Sequence, residues 1–225
     1  IAVYIGLQSY KLFGNYKMAL FFLFSMLLGA ALQLTNMYGD SFLTSFDKIE
    51  AFKDSFVVKY STIILSISQM SETLFILTIP FFLKKFGIKK VMLFAMLAWV
   101  LRFGLFAYGD PTAMGTVHII LSCIVYGMAF DFFNISGSLF VETSTDSSIR
   151  SSAQGLFMMM TNGVGAWLGS TVSGMVIGKY YINADGSSNW QGIWFAFAVY
   201  ALVIAILFAV LFKHKHVPEE VATVQ

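Results

Sequence analysis

The sequence has 225 residues, of which 58% are hydrophobic and 12% charged, and its formal net charge is +2. Soluble domains are typically about 45–50% apolar and about 25% charged, so both figures favour a membrane protein. The small net charge argues against a nucleic-acid partner. The single cysteine cannot build a disulfide framework within the chain, and the three histidines lack companions at metal-ligand spacing. We therefore expect neither a bound metal nor a cofactor.

Six apolar stretches are long enough to cross a bilayer, which takes about 20 helical residues. They are expected at about 18–39, 60–83, 91–108, 114–141 and 151–181, with a sixth that follows the loop at 183–188 and ends at Lys213. A charged loop at 40–59 and a basic turn at 84–90 separate the first three. Ser151 and Gln154 have the spacing of a capping box at the start of the fifth. The sequence thus predicts an all-α membrane protein with six transmembrane helices.

The distribution of lysine and arginine predicts the orientation. An even number of spans places both ends of the chain on one side, and the positive-inside rule puts the more basic side in the cytoplasm. The side that holds both ends carries Lys11, Lys17, Lys84, Lys85, Lys89, Lys90, Arg150, Lys213 and Lys215. The other side carries Lys48, Lys53, Lys59 and Lys179. Both ends are therefore expected in the cytoplasm. Because the chain begins at Ile1 without Met or a signal segment, we also expect a missing N-terminal part.

The fourth span places a carboxylate where only hydrocarbon is expected. Asp131 lies near its middle, and Asn134 follows on the same helical face. An acid at a helix centre costs about 2.5–3.5 kcal/mol on insertion scales, so it usually faces a partner or a cavity. Asp131 either ties helices together or lines a path for substrate or protons. Tyr126 and Phe130 form an aromatic strip beside it that could stack on a planar ring.

Polar pairs at helical spacing also occur in the first two spans. Gln33 precedes Asn36, and Gln69 precedes Glu72. Amides provide donors and acceptors together, which suits a neutral ligand rich in hydroxyl and carbonyl groups. Hydrogen bonds between helices, worth about 0.6 kcal/mol each on average, would explain any one pair. Polar pairs near the middle of three different helices favour a shared cavity.

Glu72 and Asp131 share the spans with one cation, Arg102. A carboxylate that protonation can neutralise is the usual element of proton coupling in transporters. If all three charges met, at least one acid would lack a cationic partner, and desolvation would favour its neutral form. Asp131 is the better candidate, because phenylalanines flank it, whereas Glu72 has an amide one turn away. Arg102 could pair with an acid or extend outward along its helix.

A short internal repeat and a set of glycines concern helix packing. The first span carries Gln33-x-x-Asn36-x-x-Gly39, and the fourth carries Asp131-x-x-Asn134-x-x-Gly137. Three helices in one direction followed by three in the other would form an inverted-topology repeat with polar sites near mid-membrane. The fifth span carries Gly165-x-x-x-Gly169 and Gly174-x-x-x-Gly178. Both glycine pairs predict close approach of another helix.

Five segments of the chain together point to a known family. They are SMLLGAALQLTNMYG, SISQMSETLFILTIPFF, FAYGDPTAMGTV, IVYGMAFDFFNISGSLFVE and SSAQGLFMMMTNGVG. These segments closely resemble the C-terminal half of bacterial nucleoside–proton symporters in the major facilitator superfamily. The resemblance extends from about Leu12 to His216.

The resemblance implies a twelve-helix transporter with a nucleoside, such as uridine or adenosine, bound between two six-helix halves. Residues 1–16 would end the central cytoplasmic loop, 17–216 would form the C-terminal six-helix domain of two inverted three-helix repeats, and 217–225 would be a cytoplasmic tail. The protein would lie in the bacterial inner membrane, among lipids, and its partners would be nucleosides, protons and the missing N-terminal half.

The resemblance also implies roles for individual residues. The substrate-binding residues would be Gln33, Asn36, Gln69, Glu72, Tyr126, Phe130 and Asp131. Phe130 would pack on the base, Tyr126 would line the pocket, and Asp131 and Glu72 would be the candidates for proton coupling. Ala31 stands where close relatives are expected to have an acidic residue.

Three alternatives to nucleoside–proton symport remain open at this point. A sugar–proton symporter of the same superfamily would need similar hydroxyl-binding groups. A membrane receptor would bind a ligand without moving it. An intramembrane protease would need a serine in a Gly-x-Ser-Gly setting. Neither Ser136 nor Ser173 has the leading glycine, so we expect no enzymatic activity.

Overall fold

The computed structural model describes residues 7–215, and the regular secondary structure of this part is helical. The α-helices are α1 (Tyr16–Ser45), α2 (Phe56–Lys59), α3 (Ser61–Ile76), α4 (Ile79–Ala107), α5 (Ala113–Ser144), α6 (Arg150–Met158), α7 (Ala166–Tyr180) and α8 (Trp190–Leu211). Leu7–Gly14 and Phe46–Lys48 form 3₁₀-helices, and Met159–Gly165 forms a π-helix between α6 and α7.

Within the described residues, four segments are long and apolar enough to cross a membrane. They are Tyr16–Lys48, Ile79–Ala107, Ala113–Ser144 and Trp190–Leu211. They contain or overlap five of the six predicted spans, because Ile79–Ala107 overlaps the end of the second as well as the third. The protein is therefore an all-helical, multi-pass membrane protein, whereas the count of six spans stays a prediction.

The first helix is longer than its predicted span. It continues past residue 39 to Ser45, into the segment predicted as a loop. The Thr44 hydroxyl donates to the Asp40 carbonyl at 2.9 Å, one turn back, and the Asp40 carboxylate accepts from Ser61 on α3 at 3.1 Å. Charged residues mark the end of an apolar stretch but do not end a helix, which explains the difference.

The second predicted span is divided between α3 and the first part of α4. Pro80 lies in the first turn of α4, where its missing N–H leaves no unpaired donor. A sharp kink follows at Gly87, whose φ of 76° and ψ of 168° lie in a region that favours glycine. The predicted basic turn at 84–90 therefore contains the break that separates the two helical parts of α4. The rings of Phe82 and Phe94, on either side of this break, lie 6.3 Å apart. In the fifth predicted span, α6, the π-helix and α7 follow one another without a break.

The capping box predicted at Ser151 is absent from the structure. α6 begins at Arg150 after Ile149, with no side-chain hydrogen bond to its first turn. The amide of Gln154 instead donates to the Ser138 carbonyl on α5 at 2.8 Å, and the Ser138 hydroxyl donates back at 3.2 Å. The prediction was wrong because a partner from another helix takes the glutamine side chain.

α5 lies at the centre of the helix packing. It packs mainly against α4 and α3, while α4 also packs against α8, and α1 packs against the π-helix, α7 and α8. His214 follows α8 in the sequence. At one end of the bundle, its ring nitrogen lies 2.7 Å from the Lys17 ammonium. Both ends of the described chain therefore lie at the same end of the bundle, as an even number of spans requires.

Only the first of the two predicted glycine pairs forms a helix contact in the described part of the chain. A Cβ at Gly169 would lie 2.8 Å from the Cα of Ala30 on α1, and one at Gly165 would collide with the Met26 carbonyl. A Cβ at Gly174 or Gly178 would meet no atom within 4 Å. The first pair thus lets α1 approach the backbone of the π-helix and α7, and the prediction for the second pair is wrong within residues 7–215.

This difference yields a test with a matched control on the same helix. Gly169→Ala should destabilise the protein by about 1–3 kcal/mol, because the new methyl group forces α1 and α7 apart. Gly174→Ala adds the same methyl group in open space and should be neutral or stabilising by up to about 1 kcal/mol. Thermal unfolding of both purified variants in detergent provides the comparison, and equal melting temperatures would contradict the close packing of α1 on α7.

Candidate functional site

The aromatic strip predicted on α5 is present and ordered as a stack. The rings of Tyr126 and Phe130 lie 5.8 Å apart between centroids and are almost parallel, at 5°. Trp99 on α4 contacts Tyr126 edge-on at 5.7 Å. Tyr126 is buried, whereas Phe130 is partly exposed. The two rings therefore form an aromatic platform whose Phe130 end is accessible for stacking.

Asp131 is the most isolated acid of the predicted site. Only 5% of its surface is exposed, and its Oδ2 atom has no hydrogen-bond partner in the described part of the chain. The amide of Asn134, one turn away, donates to the Phe130 carbonyl at 3.0 Å and so is engaged on its own helix. Buried carboxylates normally have hydrogen-bond partners, so an unpaired oxygen at this position needs an explanation.

Glu72 on α3 lies close to α5 because two small residues permit the approach. A Cβ at Gly127 would lie 2.7 Å from the Glu72 nitrogen. The Ser71 hydroxyl accepts from the Gly127 N–H at 3.0 Å and donates to the Cys123 carbonyl at 3.2 Å. This contact brings the Glu72 carboxylate into electrostatic interaction with groups on α4 and α5, namely Arg102, Tyr126 and Asp131.

Arg102 adopts neither of the two expected arrangements. It is 1% exposed, so it does not extend outward, and among residues 7–215 no acid lies within salt-bridge distance of it. Its Nη1 donates to the Ser122 carbonyl at 2.7 Å, and its Nε donates to the Thr35 hydroxyl at 3.3 Å. The guanidinium also lies over the rings of Tyr126, at 4.5 Å, and Phe106, at 4.9 Å.

The predicted amides on α1 and α3 form no hydrogen bonds between helices within residues 7–215. Gln33 is partly exposed and Asn36 exposed, and the described part of the chain provides neither side chain with a hydrogen bond. When the Gln69 amide is oriented to satisfy its neighbours, its nitrogen donates to the carbonyls of Leu65 at 3.1 Å and Ser66 at 3.2 Å on its own helix. The alternative that these amides join helices to one another is therefore not observed.

A small cavity lies behind the accessible end of the aromatic platform. Its volume is about 10 Å³, and Phe130, Asn134 and Thr161 are among the residues that line it. Thr161 belongs to the π-helix, and its hydroxyl donates to the Phe157 carbonyl at 3.0 Å. π-Helices are rare and often occur near functional sites. The cavity thus links α5 with the interrupted fifth predicted span.

The predicted site residues fall into two groups in the structure. Electrostatic interaction or ring stacking joins Glu72, Tyr126, Phe130 and Asp131, while Gln33, Asn36 and Gln69 present amides without contacts to that group. Sequence reasoning missed the side chains that hold the first group together: Thr35, Ser71, Trp99 and Ser122. Serine and threonine in helices usually bond to their own backbone, so nothing in the sequence marked Thr35, Ser71 and Ser122 as contacts between helices. Within residues 7–215 no cluster of metal-ligating side chains occurs.

Known proteins resemble this chain in sequence and in structure. The family model described as nucleoside H⁺ symporter matches residues 1–217. A xanthosine permease of Escherichia coli is 60% identical over 98% of this chain and 52% of its own length. The nucleoside permease NupG of Escherichia coli is 60% identical over 95% of this chain and 50% of its own length. This chain therefore spans about half the length of these relatives.

A solved structure gives the same result for the fold. A crystal structure of the nucleoside transporter NupG superposes on this chain with a TM-score of 0.87 at 59% sequence identity. The superposition covers 93% of this chain and 51% of the other. With the family model matching nearly the whole chain, the chain belongs to the nucleoside H⁺ symporter family.

Proposed function

We propose that this chain is the C-terminal half of a transporter that couples the uptake of nucleosides to protons by alternating access. Its relatives are permeases rather than enzymes, which favours transport over the intramembrane protease alternative. The chain corresponds to about half of each relative, as expected for one of two halves. The substrate would lie between the halves, and its release would follow a rocking movement of one half against the other.

The proposed half contains six transmembrane helices in two inverted three-helix repeats. The first repeat comprises α1, α3 with the start of α4, and α4 after Gly87; the second comprises α5, α6 to α7, and α8. Three observations support this division: the kink at Gly87, the uninterrupted run from α6 to α7, and the contact of Lys17 with His214 that places both ends together. Interruptions of transmembrane helices are tolerated where the backbone is buried in protein or lines a water-filled cavity.

The domain limits and orientation follow the same proposal. Residues 1–16 end the central loop, 17–216 form the six-helix domain, and 217–225 form the tail; 1–6 and 216–225 lie outside the described residues. α1 begins at Tyr16, one residue before the proposed limit. Both ends lie on the cytoplasmic side of a bacterial inner membrane, because that side holds most of the lysines and arginines.

The unpaired carboxylate of Asp131 beside the aromatic platform is the observation that carries the proposal. Its Oδ2 is buried without a partner in the part of the chain that the structure describes, and the neighbouring Phe130 stacks on Tyr126. A flat base fits the exposed face of Phe130, and the unengaged amides of Gln33 and Asn36 suit ribose hydroxyls. Gln69 and Glu72 complete the binding set. A half transporter leaves such groups at its open face, because the other half closes the site.

The two acids have different roles in this proposal. Asp131 takes up and releases the transported proton, since it is buried and has an oxygen with no bonding partner. Glu72 binds the nucleoside, since it is only half-buried and attracted by Arg102. Like charges close together cannot both be ionised without cost, so protonation of Asp131 and binding at Glu72 are coupled.

Substitution of each acid by its amide separates the two roles. Asp131→Asn resembles the protonated acid in size and should bind uridine within about threefold of the wild type, while losing accumulation driven by a pH gradient. Glu72→Gln should weaken uridine binding by about tenfold, because charge-assisted hydrogen bonds are worth roughly 1.5–3 kcal/mol. Binding is measured by titration calorimetry and accumulation by radiolabelled uptake into proteoliposomes. The roles are reversed if Asp131→Asn accumulates uridine against a gradient and Glu72→Gln does not.

Competition distinguishes a nucleoside site from a sugar site. If Phe130 stacks on the base, unlabelled uridine should inhibit uptake at concentrations at least about tenfold below those needed for free ribose, because base stacking on an aromatic ring is worth roughly 1–3 kcal/mol. Phe130→Ala should reduce this preference. Equal inhibition by ribose and uridine would favour the sugar–proton symporter. Binding of uridine without any uptake would favour the receptor.

The proposal of two halves has its own test. Residues 1–225 expressed alone should give no uridine uptake above empty proteoliposomes, because polar groups left unpaired in hydrocarbon cost several kcal/mol each and an open face cannot alternate access. The longer protein that contains this chain is the positive control. Robust uptake by residues 1–225 alone would contradict the division of the site between two halves.

A further inference from the structure

Arg102 is the one buried cation of the described helices, and the proposed function gives it no role beyond its attraction for Glu72. A guanidinium that is 1% exposed needs partners for its five N–H groups and its charge. Here those partners come from three helices. The guanidinium donates to Thr35 on α1 and to the Ser122 carbonyl on α5. It also lies over the ring of Tyr126 on α5 and the ring of Phe106 on its own helix, α4. The Ser122 hydroxyl donates back to the Arg102 carbonyl at 2.9 Å.

The contact with Tyr126 connects Arg102 to the aromatic platform. The guanidinium carbon lies 4.5 Å from the ring centroid, and Trp99 contacts the same ring edge-on. Tyr126 in turn stacks on Phe130 at 5°. A ring held between a cation and a second ring cannot tilt without losing one contact. The orientation of Phe130, which presents the accessible face, therefore depends on Arg102 through Tyr126.

The contact with Thr35 connects Arg102 to the amides of α1. Thr35 lies between Gln33 and Asn36 in the sequence, and its hydroxyl accepts from Nε at 3.3 Å. No other hydrogen bond in the described residues joins these three residues to another helix. Arg102 thus holds α1 in register with α5 at the level where the amides and the aromatic platform face one substrate.

We propose that Arg102 is a positioning residue for substrate binding: it holds the Tyr126 and Phe130 rings and the α1 amides in the geometry that fits a nucleoside, without touching the substrate itself. This proposal rests on the proposed function. A purely structural role would affect folding and stability alone. Arginine suits the positioning role because its planar group stacks on a ring while its edge donates hydrogen bonds, which a lysine ammonium cannot do together.

The test uses the longer protein in proteoliposomes with uridine as the probe. Arg102→Gln should raise both the Kd and the KM for uridine by about tenfold, because a desolvated cation–π contact is lost. The maximal rate should change by less than about twofold, because the substitution removes no contact with the substrate itself. Arg102→Lys, which keeps the charge over the ring, should recover part of the affinity.

A double-mutant cycle shows whether Arg102 acts through Tyr126. Tyr126→Leu removes the ring that Arg102 contacts but leaves the contact with Thr35, so Arg102→Gln in that background should raise the Kd by clearly less than the about tenfold expected in the wild type. Lys89 on the same helix provides the matched structural control, because its ammonium donates to the Ala209 carbonyl on α8 at 2.9 Å and, within the described residues, makes no hydrogen bond to the site. Lys89→Gln should lower the melting temperature without changing the Kd.

The possible outcomes separate this proposal from the function on which it rests. A wild-type protein that binds no uridine overturns the proposed function and the positioning role with it. A wild type that binds uridine, with an unchanged Kd in Arg102→Gln or additive effects in the cycle, overturns the positioning role alone. If Arg102→Gln does not fold, Arg102→Lys takes its place in the cycle. A Kd raised at least about threefold by Arg102→Lys, and raised less in the Tyr126→Leu background, supports the positioning role. An unchanged Kd overturns it.

Discussion

Polar groups that lie among apolar helices must find their partners within the protein, and this constraint organises the centre of the structure. Hydrocarbon offers no hydrogen bonds, so an unpaired buried donor or acceptor costs several kcal/mol. Arg102 meets the constraint with a carbonyl, a hydroxyl and two ring faces rather than with an acid. The consequence is that three helices converge on one side chain. The proposed site lies where they converge.

Close approach of backbones makes this convergence possible. Gly127 lets α5 meet the Ser71–Glu72 backbone of α3, and Gly165 with Gly169 lets the π-helix and α7 meet α1. Small residues at such contacts replace the hydrophobic driving force that is weak between helices in lipid. The kink at Gly87 and the π-helix interrupt the regular helices on either side of the centre. A bundle built this way can be tightly packed and still contain points at which helices bend.

The groups that remain unpaired are as informative as those that are bonded. Among residues 7–215, Oδ2 of Asp131 is buried without a partner, and the amides of Gln33 and Asn36 make no hydrogen bonds between helices. Replacing both partners of a polar contact by apolar groups is often neutral or stabilising. Stability alone therefore does not require polar side chains at these positions. Their presence is explained if, as proposed, a ligand and the other half of a transporter supply the missing partners. Arg102, by contrast, is satisfied within the chain, which fits a residue that supports the site from behind.

The sequence by itself determined the class of the protein, the approximate positions of its apolar helices, its family and the candidate site residues. Hydropathy and side-chain chemistry are local properties, so Asp131, Glu72 and the stack of Tyr126 on Phe130 could be identified without a fold. Helix packing, by contrast, set the extension of α1 to Ser45 and the position of the break at Gly87 within the predicted basic turn.

The tertiary structure likewise decided which glycines pack, and it gave Gln154 and Arg102 their partners. Gln154 bonds to Ser138, 16 residues away, instead of capping its own helix. Arg102 bonds to Thr35, 67 residues away, and to Ser122, 20 residues away, instead of pairing with an acid. The physical reason is the same in each case: a polar side chain in an apolar bundle takes whichever partner another helix brings within reach, and that partner is set by packing rather than by spacing along the chain.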